Sequence, residues 1–223
     1  MNSSPWQSVT SRRGALAATA LALATVTALA PRPAVSAGDP ATGKALYAVC
    51  VACHGANGEG NKDVGGPRLA GRADWELGRQ IENFKNGARA YDPKDTFGAQ
   101  MKAIAPTLAN SQAIDDVVAY IGTLKAPKPA TTVTGNAAAG ATAYAICAAC
   151  HGPAGEGMQA QNAPKLAGQH DWYVVRQLQN FKARVRGAGP GDVFGTTMAP
   201  MALTLADDAA IANVAAYIAT FKE

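Results

Sequence analysis

The chain is 223 residues long, which suits two small domains or one larger domain. Its hydrophobic content of 48% is that of a globular protein and excludes a largely disordered chain. Although the formal net charge is +4, the sequence contains neither a basic stripe nor an RNA-binding motif, which excludes a nucleic-acid partner.

Residues 1–37 have the pattern of an export signal. The pair Arg12-Arg13 precedes an uncharged apolar run from residue 15 to residue 30, and small residues follow before a predicted cleavage site after Ala37. The run is shorter than the roughly 20 residues of a membrane-spanning helix, so an uncleaved N-terminal anchor is the less favoured alternative. Without this segment, 17 basic and 16 acidic residues remain, and the mature chain is nearly neutral.

A first domain is predicted over residues 38–126, with three helices. Each helix signal combines a capping side chain with apolar residues at helical spacing. The predicted N-caps are Asp39 (followed by Pro40), Asp74, and Asn110 or Ser111. Long glycine-rich loops separate the helices, and such loops favour a cofactor that they surround, because small domains rarely order them by their own packing.

A proline- and threonine-rich linker is predicted over residues 127–136. The second domain, residues 137–223, repeats the first at a constant offset of 97 residues, so that the motif at 50–55 recurs at 147–152. The helix signals recur too, with Asp171 and Asp207 as predicted caps. The chain is therefore a tandem duplication.

Each half contains a Cys-x-x-Cys-His motif, the attachment signal of a c-type haem. Two thiols about one helical turn apart can add to the two vinyl groups on one porphyrin edge, and the following histidine then binds the iron. The predicted attachment residues are Cys50, Cys53, Cys147 and Cys150, and the predicted iron ligands are His54 and His151. A redox-active cysteine pair, a disulfide or half of a zinc site is the alternative. A histidine after both pairs weakens all three, and the 93 residues between the pairs exceed the roughly 15–20 of a zinc ribbon.

Met101 and Met198 are the predicted second axial ligands. Each lies 47 residues after the histidine of its own half and follows Phe-Gly-x-x. A thioether is a soft ligand, and a His/Met pair raises the reduction potential of a haem, whereas core packing is the usual role of a methionine. Met201 competes with Met198, but its counterpart Ile104 cannot bind iron.

Other recurring residues are candidates for roles around the haem. The carbonyl groups of Pro67 and Pro164, 13 residues after each histidine, are predicted to accept the second ring N–H. Two tryptophans and two arginines are candidates for contacts with haem propionates, although helix packing and solvent exposure fit the pattern equally well. They are Trp75, Trp172, Arg79 and Arg176. His170, whose counterpart is Ala73, is predicted to be a surface or interdomain residue.

The chain after Ala37 resembles the dihaem cytochrome c4 family. The resemblance rests on the two Cys-x-x-Cys-His motifs, on Pro-x-Leu-x-Gly segments at 67–71 and 164–168, and on a methionine ahead of a leucine and a final helix in each half. It implies an all-α fold of two tandem class I cytochrome c domains, each wrapped around a covalently attached haem c. It also implies a periplasmic electron carrier that is soluble or peripherally associated with the membrane.

The expected function is electron transfer without catalytic residues. The expected partners are a respiratory complex or dehydrogenase as donor and a terminal oxidase or reductase as acceptor. The first alternative is an electron-accepting subunit of a dehydrogenase, such as a flavocytochrome sulfide dehydrogenase. A dihaem peroxidase is a remote alternative, because it needs an open iron position beside an acid–base group. The short linker predicts that the domains pack as a fixed pair and exchange electrons.

Overall fold

The structure is a computed structural model that describes residues 38–223. The predicted export signal over residues 1–37 lies outside the described residues. Residues 38–223 form α-helices, short 3₁₀ turns and two isolated bridging pairs, without a β-strand, which confirms the predicted all-α fold.

Within the described range, the two halves carry corresponding helices. The first half contains α1 Pro40–Leu46, α2 Val51–His54, α3 Asp74–Lys85, α4 Thr96–Ile104 and α5 Ser111–Thr123. The second half contains α6 Ala137–His151, α7 Asp171–Lys182, α8 Val193–Leu203 and α9 Asp208–Ile218. The halves differ at their start, where α1, a 3₁₀ turn at Tyr47–Val49 and α2 correspond to the single continuous α6.

Three of the predicted helix caps are confirmed. Asp39 accepts hydrogen bonds from Ala41 N and Thr42 N at the start of α1. Asn110 and Asp207 cap α5 and α9 by accepting from the backbone N–H three residues later. Such a bond satisfies one of the unpaired N–H groups of the first helical turn.

The predicted caps Asp74 and Asp171 are wrong. Both are the first residues of their helices, after Ala73 and His170, which make no side-chain capping bond. Asp171 instead is buried and accepts hydrogen bonds from the linker, including Thr132 N at 2.6 Å. Its carboxylate therefore fixes the linker to the second domain.

The first and last helices of each half cross closely. α1 packs on α5, and α6 packs on α9. The close approach requires glycine, because a Cβ added at Gly43 would lie 1.9 Å from Asp116 O, and one at Gly140 would lie 1.9 Å from Asn213 O. Around each crossing, buried apolar side chains form a core that includes a fully buried tyrosine, Tyr47 or Tyr144.

Among the described residues, no single helix combines the length and apolarity needed to cross a membrane. α8 and α9 meet these criteria only when taken together, and the pair is bent by 112°.

Candidate functional site

One continuous cavity of about 380 Å³ is lined by both halves of the described chain. All eight residues predicted as attachment sites or iron ligands line it: Cys50, Cys53, His54, Met101, Cys147, Cys150, His151 and Met198. The fold thus brings both four-residue sets to a single space.

Helix ends deliver each cysteine pair together with its histidine. α2 ends at His54 and α6 at His151. The chain then turns at Gly55 and Gly152, whose φ angles of 79° and 81° lie in the region that favours glycine. Each histidine can therefore close a helix and still face the cavity.

The four cysteine thiols are free and half-buried. Burial raises the pKa of Cys50 to about 11, and the nearby Cys53 adds a smaller effect. Burial also raises the pKa of Cys147. With no disulfide between them, all four sulfur atoms are available for thioether bonds.

The hydrogen bonds predicted for the two histidines are confirmed. The Nδ1 atoms of His54 and His151 lie 2.8 Å from the carbonyl oxygens of Pro67 and Pro164. A carbonyl only accepts, so Nδ1 carries the proton and donates it, which leaves the Nε2 lone pair free to bind a metal. Burial lowers the pKa of both imidazoles and so favours the neutral form that a metal needs.

Met101 and Met198 lie on corresponding helices, α4 and α8, and both pack against core residues beside the cavity. Met201 also lines the cavity. The choice of Met198 over Met201 therefore rests on the repeat, in which Ile104 stands at the position of Met201.

Arginines give the cavity an excess of positive charge. Six of them line it, including Arg68. In the other five the Nε atom is buried without a hydrogen-bond partner: Arg72, Arg79, Arg89, Arg176 and Arg186. Burial lowers the pKa of Arg72 and of Arg186 to about 10, and a neighbouring arginine adds to each shift. Buried cations require anionic partners.

These residues fit a haem c in each half. Thiol pairs, an imidazole and a thioether are the donors that a c-type haem takes. Arg79 already pairs with Glu76, and the propionates of the two haems would supply anions to the other buried guanidinium groups. The remaining wall is largely apolar, with residues such as Leu77, Phe84, Val174 and Phe181.

The domains contact each other through reciprocal pairs. Arg79 bonds to Asn162 and lies 4.8 Å from the Phe194 ring. Its counterpart Arg176 donates to Gly65 O and lies 4.2 Å from the Phe97 ring. Each residue of one set differs from its counterpart in the other by 97 positions, with the two halves exchanged, so the halves meet about a local pseudo-twofold axis. The two arginines therefore line the cavity and join the domains, and they are not solvent-exposed.

A second reciprocal set lies within the same interface. Gln80 Oε1 accepts from Arg89 at 2.7 Å and from Arg186 at 3.3 Å, and Gln177 Oε1 accepts from the same two arginines at 3.4 and 2.7 Å. Neither these four residues nor Phe97 and Phe194 were predicted as interface contacts. All of them recur at the offset of 97, which was the available signal.

The interdomain prediction for His170 is confirmed. Its Nε2 bonds to Glu59 O of the first domain at 2.7 Å, and its ring stacks on Trp172. Together with the reciprocal pairs, this contact confirms that the two domains pack against each other.

The family model described as cytochrome c matches residues 40–125 and again residues 137–222. Cytochrome c4 of Azotobacter vinelandii is 32% identical over 194 residues, which cover 82% of this chain and 89% of that protein. The thiosulfate dehydrogenase electron acceptor of Thiomonas intermedia is 36% identical over 171 residues, covering 72% of this chain and 73% of that protein.

Solved structures show the same likeness. The crystal structure of reduced recombinant cytochrome c4 from Pseudomonas stutzeri matches with a TM-score of 0.65 and 27% identity, over 83% of this chain and all of that chain. The thiosulfate dehydrogenase TsdBA from Marichromatium purpuratum matches with a TM-score of 0.65 and 30% identity, over 81% of this chain and 40% of that chain.

Proposed function

The chain belongs to the cytochrome c family, as a tandem of two cytochrome c domains of the cytochrome c4 type, and we propose that it carries electrons between redox proteins in the periplasm. It is a dihaem electron carrier, with one covalently attached haem c in each domain. The proposed periplasmic location rests on the signal-like segment over residues 1–37. The proposed domain limits are 38–126 and 137–223, with a linker at 127–136.

Each domain is proposed to hold its haem through four residues. Cys50 and Cys53 would form the thioether bonds of the first haem, and His54 and Met101 would bind its iron. Cys147, Cys150, His151 and Met198 have these roles for the second haem. Each haem supplies one Fe(II)/Fe(III) couple. The protein orients each imidazole through a proline carbonyl and balances the propionates with buried arginines.

The observation that carries the proposal is the single cavity that contains both ligand sets. Two cofactors that share one cavity across a packed interface can exchange an electron directly. An electron can then enter at one domain and leave at the other. Met101 and Met198 would each bind an iron, which would suit electron transfer and leave no open position for a substrate.

The proposed partners are redox proteins, with a respiratory complex or dehydrogenase as donor and a terminal oxidase or reductase as acceptor. The likeness to a thiosulfate dehydrogenase electron acceptor supports a dehydrogenase as donor. Catalysis by the chain itself is not proposed. The remaining histidine, His170, already bonds to Glu59 O, so no spare histidine is available as the acid–base group of a peroxidase.

Two measurements test this function. Denaturing mass spectrometry of the purified protein should give a chain that starts at Gly38 and carries two haems. Rapid mixing of the reduced protein with periplasmic and membrane fractions of its source should reoxidise both haems. An unmodified chain from a strain that matures c-type cytochromes would refute haem attachment, and peroxide turnover would favour an enzyme. A dehydrogenase that co-purifies in fixed ratio would favour a subunit over a free carrier.

A further inference from the structure

The carbonyl that accepts from each histidine is one end of a peptide group, and in the first domain the N–H end of that group bonds to the second domain. His54 donates to Pro67 O, and the same peptide group carries the N–H of Arg68. Pro164 O and the N–H of Lys165 form the corresponding group in the second domain. A hydrogen bond at the N–H end makes the carbonyl a stronger acceptor, because bonds in a chain polarise one another.

Gln169 of the second domain holds the N–H end of the first peptide group. Its Oε1 accepts from Arg68 N at 3.1 Å, and its Nε2 donates to Arg68 O at 3.0 Å. The two bonds fix the orientation of the amide, since the reversed amide would set a donor against the Arg68 N–H. Oε1 also accepts from His170 N at 2.9 Å, which holds the side chain in place.

The counterpart of Gln169 in the first domain is Arg72, and it acts differently. Arg72 donates to Lys165 O at 3.0 Å and to Ala167 O at 2.5 Å. A guanidinium group has donors only, so Arg72 cannot accept from the Lys165 N–H. Both residues therefore donate to the carbonyl of the residue after the proline, but only Gln169 also accepts from the N–H of the peptide group bonded to the histidine.

We infer that Gln169 is a positioning residue for the first haem site, acting on His54 through the Pro67–Arg68 peptide group. By accepting from the Arg68 N–H, it fixes the Pro67 carbonyl and strengthens it as an acceptor. A stronger acceptor draws the Nδ1 proton outward and makes Nε2 a better donor to iron. Stronger donation stabilises Fe(III) and lowers the reduction potential. This inference rests on the proposed role of His54 as an iron ligand.

The interface would therefore have a second role besides holding the domains together. Docking of the second domain lowers the potential of the first haem, whereas the first domain has no matching effect on the second haem. The asymmetry arises from one pair of counterparts, Gln169 and Arg72, within an otherwise reciprocal contact.

The test is Gln169→Met in the full-length holoprotein, which keeps the volume of the side chain and removes both amide bonds. The midpoint potential of each haem is measured from its own haem-methyl proton resonances during a redox titration. The first haem should shift to higher potential, the second should stay in place, and the low-spin His/Met spectrum should persist. If Gln169→Met does not accumulate, Gln169→Asn shortens the amide and should shift the first haem in the same direction.

The matched control is His170→Phe, which keeps the ring on Trp172 and removes the interdomain bond to Glu59 O. It should leave the first potential nearly unchanged. Equal shifts of both haems, no shift, or the same shift from His170→Phe would each overturn the inference, because they indicate either no coupling or general loosening of the interface. His54→Ala tests the proposed function separately. If that variant keeps the first haem low-spin, the ligand assignment fails, and if it does not, a null result for Gln169→Met refutes only the inference.

Discussion

The two domains share all four proposed ligand positions but differ in the charge around them. Residues 38–126 carry 20 charged side chains, whereas residues 137–223 carry 12. Four lysines of the first domain correspond to uncharged residues in the second: Lys44, Lys62, Lys94 and Lys102 correspond to Ala141, Gln159, Gly191 and Ala199. On α8 the second domain exposes Val193 and Leu203, where the first has Thr96 and Pro106.

This difference shows which parts of a duplicated domain remained alike. The histidine–proline bonds and the arginine–phenylalanine contacts occur in both halves, because each half must hold a cofactor and contact the other half. Residues on the outer surface neither hold a cofactor nor contact the other half, so they can differ between the domains. The two domains therefore present different surfaces, and that of the first is the richer in charge.

The largest expected effect is the loss of one methionine ligand. Met198→Ala should abolish one of the two sulfur–iron charge-transfer bands and lower only the potential of the second haem, by on the order of 0.2 V, within the range of about 0.8 V that axial ligands span. Met101→Ala should do the same to the first haem alone. Met201→Ala is the control, and if it has the effect assigned to Met198→Ala, the ligand assignment in the second domain is wrong.

The helix crossings of the two domains should be equally sensitive to replacement of their glycine by a larger residue. Gly43→Ala and Gly140→Ala each place a Cβ 1.9 Å from a backbone oxygen, and each should reduce the free energy of unfolding by roughly 3 kcal/mol or more. Gly78→Ala is the control, because its nearest neighbour is 3.9 Å away and alanine favours the helix by roughly 0.5–1 kcal/mol. Thermal unfolding of the three holoprotein variants measures the difference. A tolerated Gly140→Ala would show that the two crossings are not equivalent.

The sequence predicts this architecture well where a single residue determines the outcome locally. Asp39, Asn110 and Asp207 cap helices because a short acceptor directly precedes an apolar periodic run. Asp171 has the same local pattern, but its carboxylate is used by Thr132 of the linker, about 40 residues away in the chain. No local pattern predicts that contact.

In the candidate site, too, the sequence predicts some features and not others. The motifs and the repeat predicted the eight proposed attachment and ligand residues, all of which line the cavity, and the histidine–proline bonds followed from spacing. The role of Gln169 could not be predicted from the sequence. It depends on how the two domains are oriented and on which atom of the Gln169 side-chain amide faces the Arg68 N–H. Only the folded interface contains that information.

The two domains also differ at Glu76, whose counterpart in the second domain is Tyr173. Glu76 lines the cavity beside Arg79, Gln80 and Arg186, and burial raises its pKa above the ordinary 4.5 although the two arginines oppose the shift. As pH rises through this pKa, the cavity gains a negative charge, which stabilises Fe(III), so the potential should fall. Glu76→Gln should raise a midpoint potential at neutral pH by on the order of tens of millivolts and flatten its dependence on pH.

The control for Glu76 lies on the same helix. Glu82 is exposed, so Glu82→Gln removes the same charge into solvent and should leave both potentials within a few millivolts, because water screens it. Potentiometric titration at several pH values distinguishes the two variants. Equal shifts would mean that net charge, rather than the buried position of Glu76, sets the potential.

The smallest expected effect concerns the helix caps. Asn110→Ala and Asp207→Ala each remove one capping bond to a backbone N–H, and each should cost about 1 kcal/mol of unfolding free energy. Chemical denaturation of the holoprotein can resolve this change. A loss in one domain only would show that the domains unfold separately.

The central claim is that the two haems form one conducting unit through the shared cavity. The most direct test combines a redox titration with rapid-mixing kinetics on the wild type and on a variant with a flexible insert in the linker at residues 127–136. Because an added charge acts on the other haem through protein of low dielectric constant, reduction of one haem should shift the potential of the other. Interdomain transfer should stay fast in both proteins, because the interface rather than the linker holds the domains together. Two independent one-electron waves, with transfer that slows markedly in the lengthened variant, would contradict the account.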